Sequence, residues 1–344
     1  MTELIDPHQM SKSTSITSDA GVFLWMTYQA MQKAGLDTAA IFSSVNLPNE
    51  APDLTVRRDN STQRRFWDAA ERVSGDRDIG LRIGGLMPPF RGQIMEYLFL
   101  SSSTFGEGLR RTIRYHRLLT DALKFDLRID HETAILTGLD HQVRHYQECA
   151  ISILLKFFRY VTDDEFQPNE IWLHRHEGAE AEHYQQVYGC PVYLDMPESC
   201  IRFPAQLLER PSPAAEPQLL KMHENFAERY LDDLKKRELI DLIEHELGGL
   251  LEQGTMELEI VAAKLGKTSR ALRSELQQIG TRFNDVVAAY RERLARRLLS
   301  RTQESIDQIV YLTGFSEPSA FTRAFKRWTG ETPTDYRRRK QSEQ

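Results

Sequence analysis

The side chains best suited to chemistry lie near the carboxyl end of the chain, in two segments of similar pattern, residues 257–280 and 305–330. In each segment, polar side chains recur at the spacing of one helix face. They are Ser269, Arg270, Arg273, Ser274 and Gln277 in the first segment, and Glu317, Ser319, Thr322, Arg323, Lys326 and Arg327 in the second. Arginine, lysine, glutamine, serine and threonine hydrogen-bond to phosphate oxygens and base edges. Both faces are therefore candidate DNA contacts.

Each segment has the pattern of two short helices joined by a tight turn. Gly266 and Gly314 are expected to end the first helix, because glycine adopts the left-handed backbone conformation that such a turn requires. Thr268 and Ser316 follow two residues later and are predicted to cap the second helix. Apolar residues then recur at helical spacing, namely Leu272, Leu276, Ile279, Phe321, Phe325 and Trp328. The pattern predicts two helix-turn-helix units, whose second helices would enter DNA grooves.

The elements around these turns must position them. Where the two helices of each unit cross, a small side chain is expected four residues before the glycine. Ala262 meets this expectation, whereas Val310 is bulkier. Residues 283–300 favour a long helix between the two units. That helix would set the distance between the two candidate DNA-contacting helices.

The distribution of charge agrees with a polyanionic partner for the carboxyl-terminal end. The whole chain carries a net charge of −6, with 44 basic and 50 acidic side chains. Residues 264–340, however, contain 17 basic and 8 acidic side chains, a balance of +9. Local basic charge on an acidic protein favours binding to nucleic acid. On charge alone, a solvated surface explains the same numbers equally well.

The rest of the chain predicts a separate α+β domain. Helical spacing is expected over residues 21–46, 61–74, 104–119 and 149–161, and alternating strands over 123–130, 133–139, 170–176 and 192–195. A proline-rich breaker at residues 211–217 closes this part. We therefore expect a disordered amino terminus (1–18), an α+β domain (19–217), a helical linker (218–234) and an all-α domain (235–340).

Residues 235–340 resemble the AraC/XylS-type DNA-binding domain. The signature runs through residues 293–337 and is clearest at Gly314, Phe315, Ser316, Ser319, Phe321, Arg323, Phe325 to Trp328, Gly330 and Pro333. The amino-terminal domain resembles the arabinose-binding-like domain of the ornithine-utilisation-regulator branch. That resemblance is carried by residues 78–84 (DIGLRIG), 97–103 (YLFLSSS) and 191–208.

The resemblance implies a transcription regulator with a sensing and dimerising domain followed by a DNA-binding domain. It implies double-stranded promoter DNA and RNA polymerase as partners, a homodimer, a small-molecule effector and the role of an activator. The effector-contacting residues are unknown from the sequence. Two alternatives remain open. One is an enzyme domain fused to a DNA-binding tail, and the other is a regulator controlled by a protein partner.

Other constellations predict no catalytic site, cofactor or metal. His174, His176, His183 and Cys190 are metal-ligand types, but no paired-ligand motif completes the set. The three cysteines are few and widely spaced, which suits reduced thiols in a cytoplasm. The sequence contains no run of 18 apolar residues, so no membrane-spanning helix is predicted. We expect a cytoplasmic, nucleoid-associated protein that is not an enzyme.

Overall fold

The computed structural model describes residues 17–174, 178–250 and 256–342. The chain divides into two compact units, Met1–Leu231 and Asp232–Gln344. The first contains helices and a sheet, whereas the described part of the second is helical throughout. The predicted combination of an α+β domain with an all-α domain is confirmed.

The elements of the first unit alternate between helices and short strands. Its helices are α1 (Gly21–Lys33), α2 (Thr38–Ser43), α3 (Gln63–Ser74), α4 (Ile79–Leu86), α5 (Ile94–Leu100), α6 (Phe105–Tyr115), α7 (Arg144–Val161) and α8 (Ala181–Tyr188). Its strands are β1 (Ser18–Asp19), β2 (Arg58–Asp59), β3 (Asp126–Asp130), β4 (Thr133–Thr137), β5 (Glu170–Trp172), β6 (Val192–Tyr193) and β7 (Cys200–Pro204). A further helix, α9 (Pro217–Leu250), begins in this unit and continues into the second.

A five-stranded sheet forms one side of the first unit, in the order β3-β4-β7-β5-β6. Neighbouring strands are antiparallel except β5 and β6, which run parallel. The strands predicted over 123–130 and 133–139 are confirmed as β3 and β4, which form a hairpin with Asp130 paired to Thr133 across a turn in which His131 has a φ of +51°. Strands β1 and β2 pair separately, so that Asp19 lies opposite Arg58.

Helix α7 lies in the core, and α4 packs against it through two glycines. A methyl group at Gly80 would lie 2.5 Å from the Oε2 atom of Glu148 and would also overlap the backbone of His145. A methyl group at Gly84 would lie 2.5 Å from the Oγ atom of Ser152. The two glycines therefore allow the α4 backbone to approach α7 closely, which explains part of the DIGLRIG motif physically.

One prediction for the amino-terminal part is wrong in detail. The single helix expected over residues 21–46 is two helices, because Gly35 turns the chain with a φ of +72° and Asp37 caps α2 by accepting a hydrogen bond from the Ala40 amide. The predicted disorder of residues 1–18 falls largely outside the described residues. At its end, Ser18 is ordered in β1 and donates a hydrogen bond to Asp121 at 2.8 Å.

The second unit is built on two apolar clusters. Its helices after α9 are α10 (Leu258–Lys264), α11 (Ser269–Gln278), α12 (Phe283–Arg301), α13 (Ile306–Leu312), α14 (Pro318–Thr329) and α15 (Pro333–Ser342). One cluster gathers α10, α11, the end of α9 and the first turns of α12, including Val286. The other gathers α13, α14, α15 and the last turns of α12, including Leu299. Helix α12 therefore belongs to both clusters.

Candidate nucleic-acid interface

The first helix-turn-helix unit consists of α10 and α11. Gly266 adopts a φ of +67° in the turn between them. The Oγ1 atom of Thr268 accepts a hydrogen bond from the Ala271 amide at 3.2 Å, so the predicted cap is confirmed. Leu272 and Leu276 are buried and hold α11 on the cluster. This packing fixes which face of α11 remains exposed to solvent.

The second helix-turn-helix unit consists of α13 and α14, with Gly314 at a φ of +71°. The predicted cap by Ser316 is wrong. Helix α14 begins at Pro318 and its N-cap position is Glu317, whose side chain makes no capping hydrogen bond. Proline at the first helical position lacks an N–H group that would need a partner, and its fixed φ suits a helix start. Counted from the turn glycine, α14 therefore begins one residue later than α11 does, and the turn of the second helix-turn-helix unit is one residue longer.

Because of this offset, the two units correspond when they are counted from the N-cap and not from the glycine. Buried Leu272 and Leu276 then match buried Phe321 and Phe325. By the same count, Arg273 and Thr322 both occupy the fifth position of their helix. Arg270 likewise matches Ser319, Ser274 matches Arg323, and Gln277 matches Lys326.

Most of the side chains predicted to contact DNA are exposed. Ser269 and Thr322 are half-buried, and the others are open to solvent. Thr322 donates its hydroxyl hydrogen to the Pro318 carbonyl at 2.9 Å, which leaves its methyl group and oxygen lone pairs for a ligand. The structure therefore brings the predicted residues together as one exposed face on α11 and one on α14.

The basic residues of the two faces differ from their neighbours in lacking partners. Within the described residues, no ion pair or side-chain hydrogen bond engages Arg270, Arg273, Arg323, Lys326 or Arg327. By contrast, Lys267 binds Glu275 at 2.6 Å, and Arg296 binds Glu292 at 2.7 Å. Unpartnered cations on one surface are suited to bind phosphate or a base edge, because no existing contact must be broken first.

One residue that sequence analysis missed holds the second turn in place. Arg291, on α12, donates a hydrogen bond to the Gly314 carbonyl at 2.8 Å, and its guanidinium lies 4.8 Å from the centre of the Phe315 ring. Burial lowers the pKa of Arg291. A basic residue in a basic segment gives no signal of such a role, since only the fold brings α12 against the turn.

The residues expected where the two helices of each helix-turn-helix unit cross differ in size, but both are buried. Ala262 and Val310 are both buried. Val310 belongs to the second apolar cluster, and its carbonyl accepts a hydrogen bond from the Phe315 amide at 3.0 Å. The bulkier side chain of Val310 is therefore part of the apolar core that holds the second helix-turn-helix unit together.

The cysteines have the character of core residues. Burial raises the pKa of Cys190 and of Cys200 to about 11, and it also raises the pKa of fully buried Cys149. A thiol with a raised pKa carries little thiolate and reacts slowly as a nucleophile. Within the described ranges, every helix is too short or too polar to span a lipid bilayer.

Metal-ligand types are not grouped in the described part of the chain, which contains no cluster of three or more His, Cys, Asp or Glu side chains fit to hold an ion. The Nδ1 atom of His174 lies 2.8 Å from the Met196 carbonyl, and His183 lies 3.3 Å from Asp78. His176 lies outside the described residues.

Comparison with known proteins gives the family. Residues 35–212 match the family described as "Arabinose-binding domain of AraC transcription regulator, N-term". Residues 261–339 match a helix-turn-helix domain family. The chain is 29% identical to the ornithine utilization regulator of Pseudomonas aeruginosa over 311 residues, 88% of this chain and 91% of that protein. It is 30% identical to VirS of Mycobacterium tuberculosis over 157 residues, 45% of each chain.

A solved structure is also similar. The crystal structure of the transcriptional regulator CdpR from Pseudomonas aeruginosa has a TM-score of 0.41 and 19% identity, over 91% of this chain and 98% of that one. The two relatives found by sequence, the ornithine utilization regulator and VirS, are regulators by name. The exposed faces of α11 and α14 thus lie in a matched DNA-binding domain, and the chain belongs to the AraC family of DNA-binding transcription regulators.

Proposed function

We propose that the protein is an effector-responsive activator in which α11 and α14 enter successive major grooves of promoter DNA. The observation that carries this proposal is the pair of exposed basic faces whose cations have no partners in the described residues. The proposed DNA contacts are Ser269, Arg270, Arg273, Ser274, Gln277, Glu317, Ser319, Thr322, Arg323, Lys326 and Arg327. We further propose that the regulator acts in the cytoplasm and contacts RNA polymerase at the promoter.

The length of α12 supports the two-groove arrangement. Its 19 residues span about 28 Å at 1.5 Å per residue. Successive major grooves on one face of DNA lie about 34 Å apart. A rigid connector of similar length, packed into both clusters, suits one protomer that holds two grooves at once.

Arg273 and Lys326 test the assignment of roles. We expect Arg273→Ala to weaken binding to the target site by about 1–3 kcal/mol and to relax preference at one base position, because the arginine fork matches guanine O6 and N7. Lys326→Ala should weaken all sequences alike and lower the salt slope by about one, because a phosphate contact carries no sequence information. Fluorescence anisotropy titrations against target and scrambled DNA, at several salt concentrations, measure both effects.

Arg64→Ala is the matched control, since Arg64 is an exposed helical arginine in α3 of the first unit. It should leave both the affinity and the salt slope unchanged. Equal losses for Arg273→Ala on target and scrambled DNA would reassign that residue to a phosphate.

We also propose that the protein is a homodimer that associates through the exposed side of α9. Leu219, Met222, Phe226 and Tyr230 follow helical spacing there, and Met222 and Phe226 are 65% and 53% exposed. The opposite side of α9 is fixed to the first unit, because Glu224 binds Arg111 at 2.9 Å. An apolar stripe of this kind is typical of an interface.

The double substitution Met222→Ser with Phe226→Ser should convert the dimer to a monomer at micromolar concentration. Removal of two large apolar side chains takes away much of the area that association would bury. Sedimentation velocity measures the change, with Asn225→Ser on the same helix as the control. A double variant that sediments as the unaltered dimer would place the interface elsewhere.

A further inference from the structure

The first compact unit contains a cavity of about 120 Å³. Its wall is mostly apolar and rich in aromatic rings, which come from α1, α3, α7 and the loops between the helices. Besides Tyr146, the aromatic members are Phe23, Phe66, Trp67, Phe90, Phe125 and Phe157. An engineered cavity of roughly 150 Å³ holds a benzene molecule, so this one is of the size for a single ring or a chain of similar volume. Such a wall favours an apolar, ring-sized guest.

Polar side chains meet in one part of this wall. Tyr146 donates a hydrogen bond to the Oδ1 atom of Asp19 at 2.9 Å, and its hydroxyl also lies 3.1 Å from Thr120. Gln63 reaches the Oδ2 atom of Asp19 only at 3.5 Å. Arg58 lies opposite Asp19 in the β1–β2 pair. All of these residues line the cavity.

This polar corner contains hydrogen-bonding groups without full partners. The Nε atom of Arg58 is a buried donor that no described atom accepts from, and the Nδ2 atom of Asn60 is a buried donor whose interaction with the Asp19 carboxyl group is weaker than a full hydrogen bond. Asp19 is 6% exposed, and burial raises the pKa of its carboxyl group more than its hydrogen bonds with Thr120, Tyr146 and Asn60 lower it. A buried donor without a partner destabilises the unliganded protein, so a ligand that supplies the missing acceptor gains affinity.

We propose that this cavity is the effector site and that it takes a ring-sized apolar molecule with a hydroxyl group as its polar end. A hydroxyl both donates and accepts. It can donate to Oδ2 of Asp19 while it accepts from Arg58 or Asn60.

Charged end groups fit the corner less well. A carboxylate would face the Asp19 carboxyl, and an ammonium group would face the Arg58 guanidinium, each in an apolar surrounding where like charges repel strongly. A zwitterionic amino acid would in addition lose its hydration against the aromatic wall. The corner therefore selects a neutral group that is donor and acceptor at once.

Four probes of matched shape test the proposal on the full chain by isothermal titration calorimetry. They are benzyl alcohol, toluene, benzoate and benzylamine. We expect benzyl alcohol to bind about tenfold tighter than each of the others, the amount expected for one hydrogen bond to a charged group. Asn60→Ala should reduce the preference for benzyl alcohol over toluene severalfold, because it removes one of the two donors available to the ligand hydroxyl.

Ala150→Leu fills the cavity, since Ala150 lines it from α7. This substitution should abolish binding of all four probes, and the smaller Ala150→Val should weaken it, which keeps the test informative if the leucine variant does not fold. Tighter binding of benzoate or benzylamine, binding that survives in both filled variants, or binding of none of the probes would overturn the proposal.

The inference rests on the proposed response to an effector, and two measurements separate the two ideas. Titration of the probes tests the cavity alone. Promoter affinity with and without saturating benzyl alcohol tests the effector response. Binding in the cavity without a change in DNA affinity would leave the site standing and contradict the response. Absence of binding in a protein that still binds its promoter would contradict the site and leave DNA recognition intact.

Discussion

Insertion of 5 bp between the two half-sites of a bound promoter should reduce the affinity of the protein to near its non-specific level, a loss of about 10³-fold or more. Half a helical turn places the second groove on the far side of the duplex. Because α12 packs into both apolar clusters of the second unit, α14 cannot follow that groove while α11 stays in place.

Gel-shift titrations of the unaltered and inserted sites at one salt concentration measure this loss. Insertion of 10 bp is the control for distance, because it returns the groove to the same face about 34 Å farther away. A rigid α12 predicts that this site also binds weakly. Unchanged affinity after the 5 bp insertion would mean that one helix-turn-helix unit alone contacts bases, and the two-groove arrangement would be wrong.

Gly80→Ala should destabilise the first unit by about 3 kcal/mol or more. An added methyl group would overlap the His145 backbone, and overpacking against backbone is not relieved by a change of rotamer. It would also disturb the hydrogen bond that the Gly80 amide donates to Nδ1 of His145 at 3.2 Å. For a unit of this size, the loss corresponds to a fall of about 6–12 °C in Tm.

Gly85→Ala in the same helix is the matched control. A methyl group there would meet only Cγ1 of Val187 at an ordinary 3.7 Å. Alanine favours a helix over glycine by about 0.5–1 kcal/mol, so this variant should be slightly more stable than the parent. Differential scanning calorimetry of the full chain measures both variants. A Tm for Gly80→Ala within a degree of the parent would contradict the close contact of α4 and α7.

The helix-turn-helix units were predictable because their signals are local. The glycine at each turn, the cap at Thr268 and the apolar spacing after it all lie within one short segment of sequence. The cap at Ser316 was predicted wrongly for the same reason. An alignment on Gly314 ignores that Pro318 offers a better helix start, and one residue of offset changes which side chain occupies the N-cap.

Features that depend on distant contacts gave no such signal. The polar corner of the cavity joins Asp19, Arg58 and Tyr146, which are far apart in sequence and ordinary in their local patterns. The DIGLRIG motif was noted as a family likeness, but the role of Gly80 follows only from the packing of α7. Likewise, nothing in the local sequence distinguishes Arg291 from the other basic residues near it. Its role follows only from the structure, in which it donates a hydrogen bond to the Gly314 carbonyl.

Because α12 is one continuous helix, its length sets both the distance and the rotation between the two proposed DNA-contacting helices, α11 and α14. One residue added to an α-helix advances everything beyond it by 1.5 Å and rotates it by about 100°. An insertion or deletion within α12 would thus turn α14 away from its groove, much as half a turn of extra DNA would. In the proposed two-groove arrangement, substitutions alter which bases are preferred, whereas the number of residues in α12 fixes the spacing of the two half-sites. Promoters recognised by this regulator should therefore vary in sequence far more readily than in spacing.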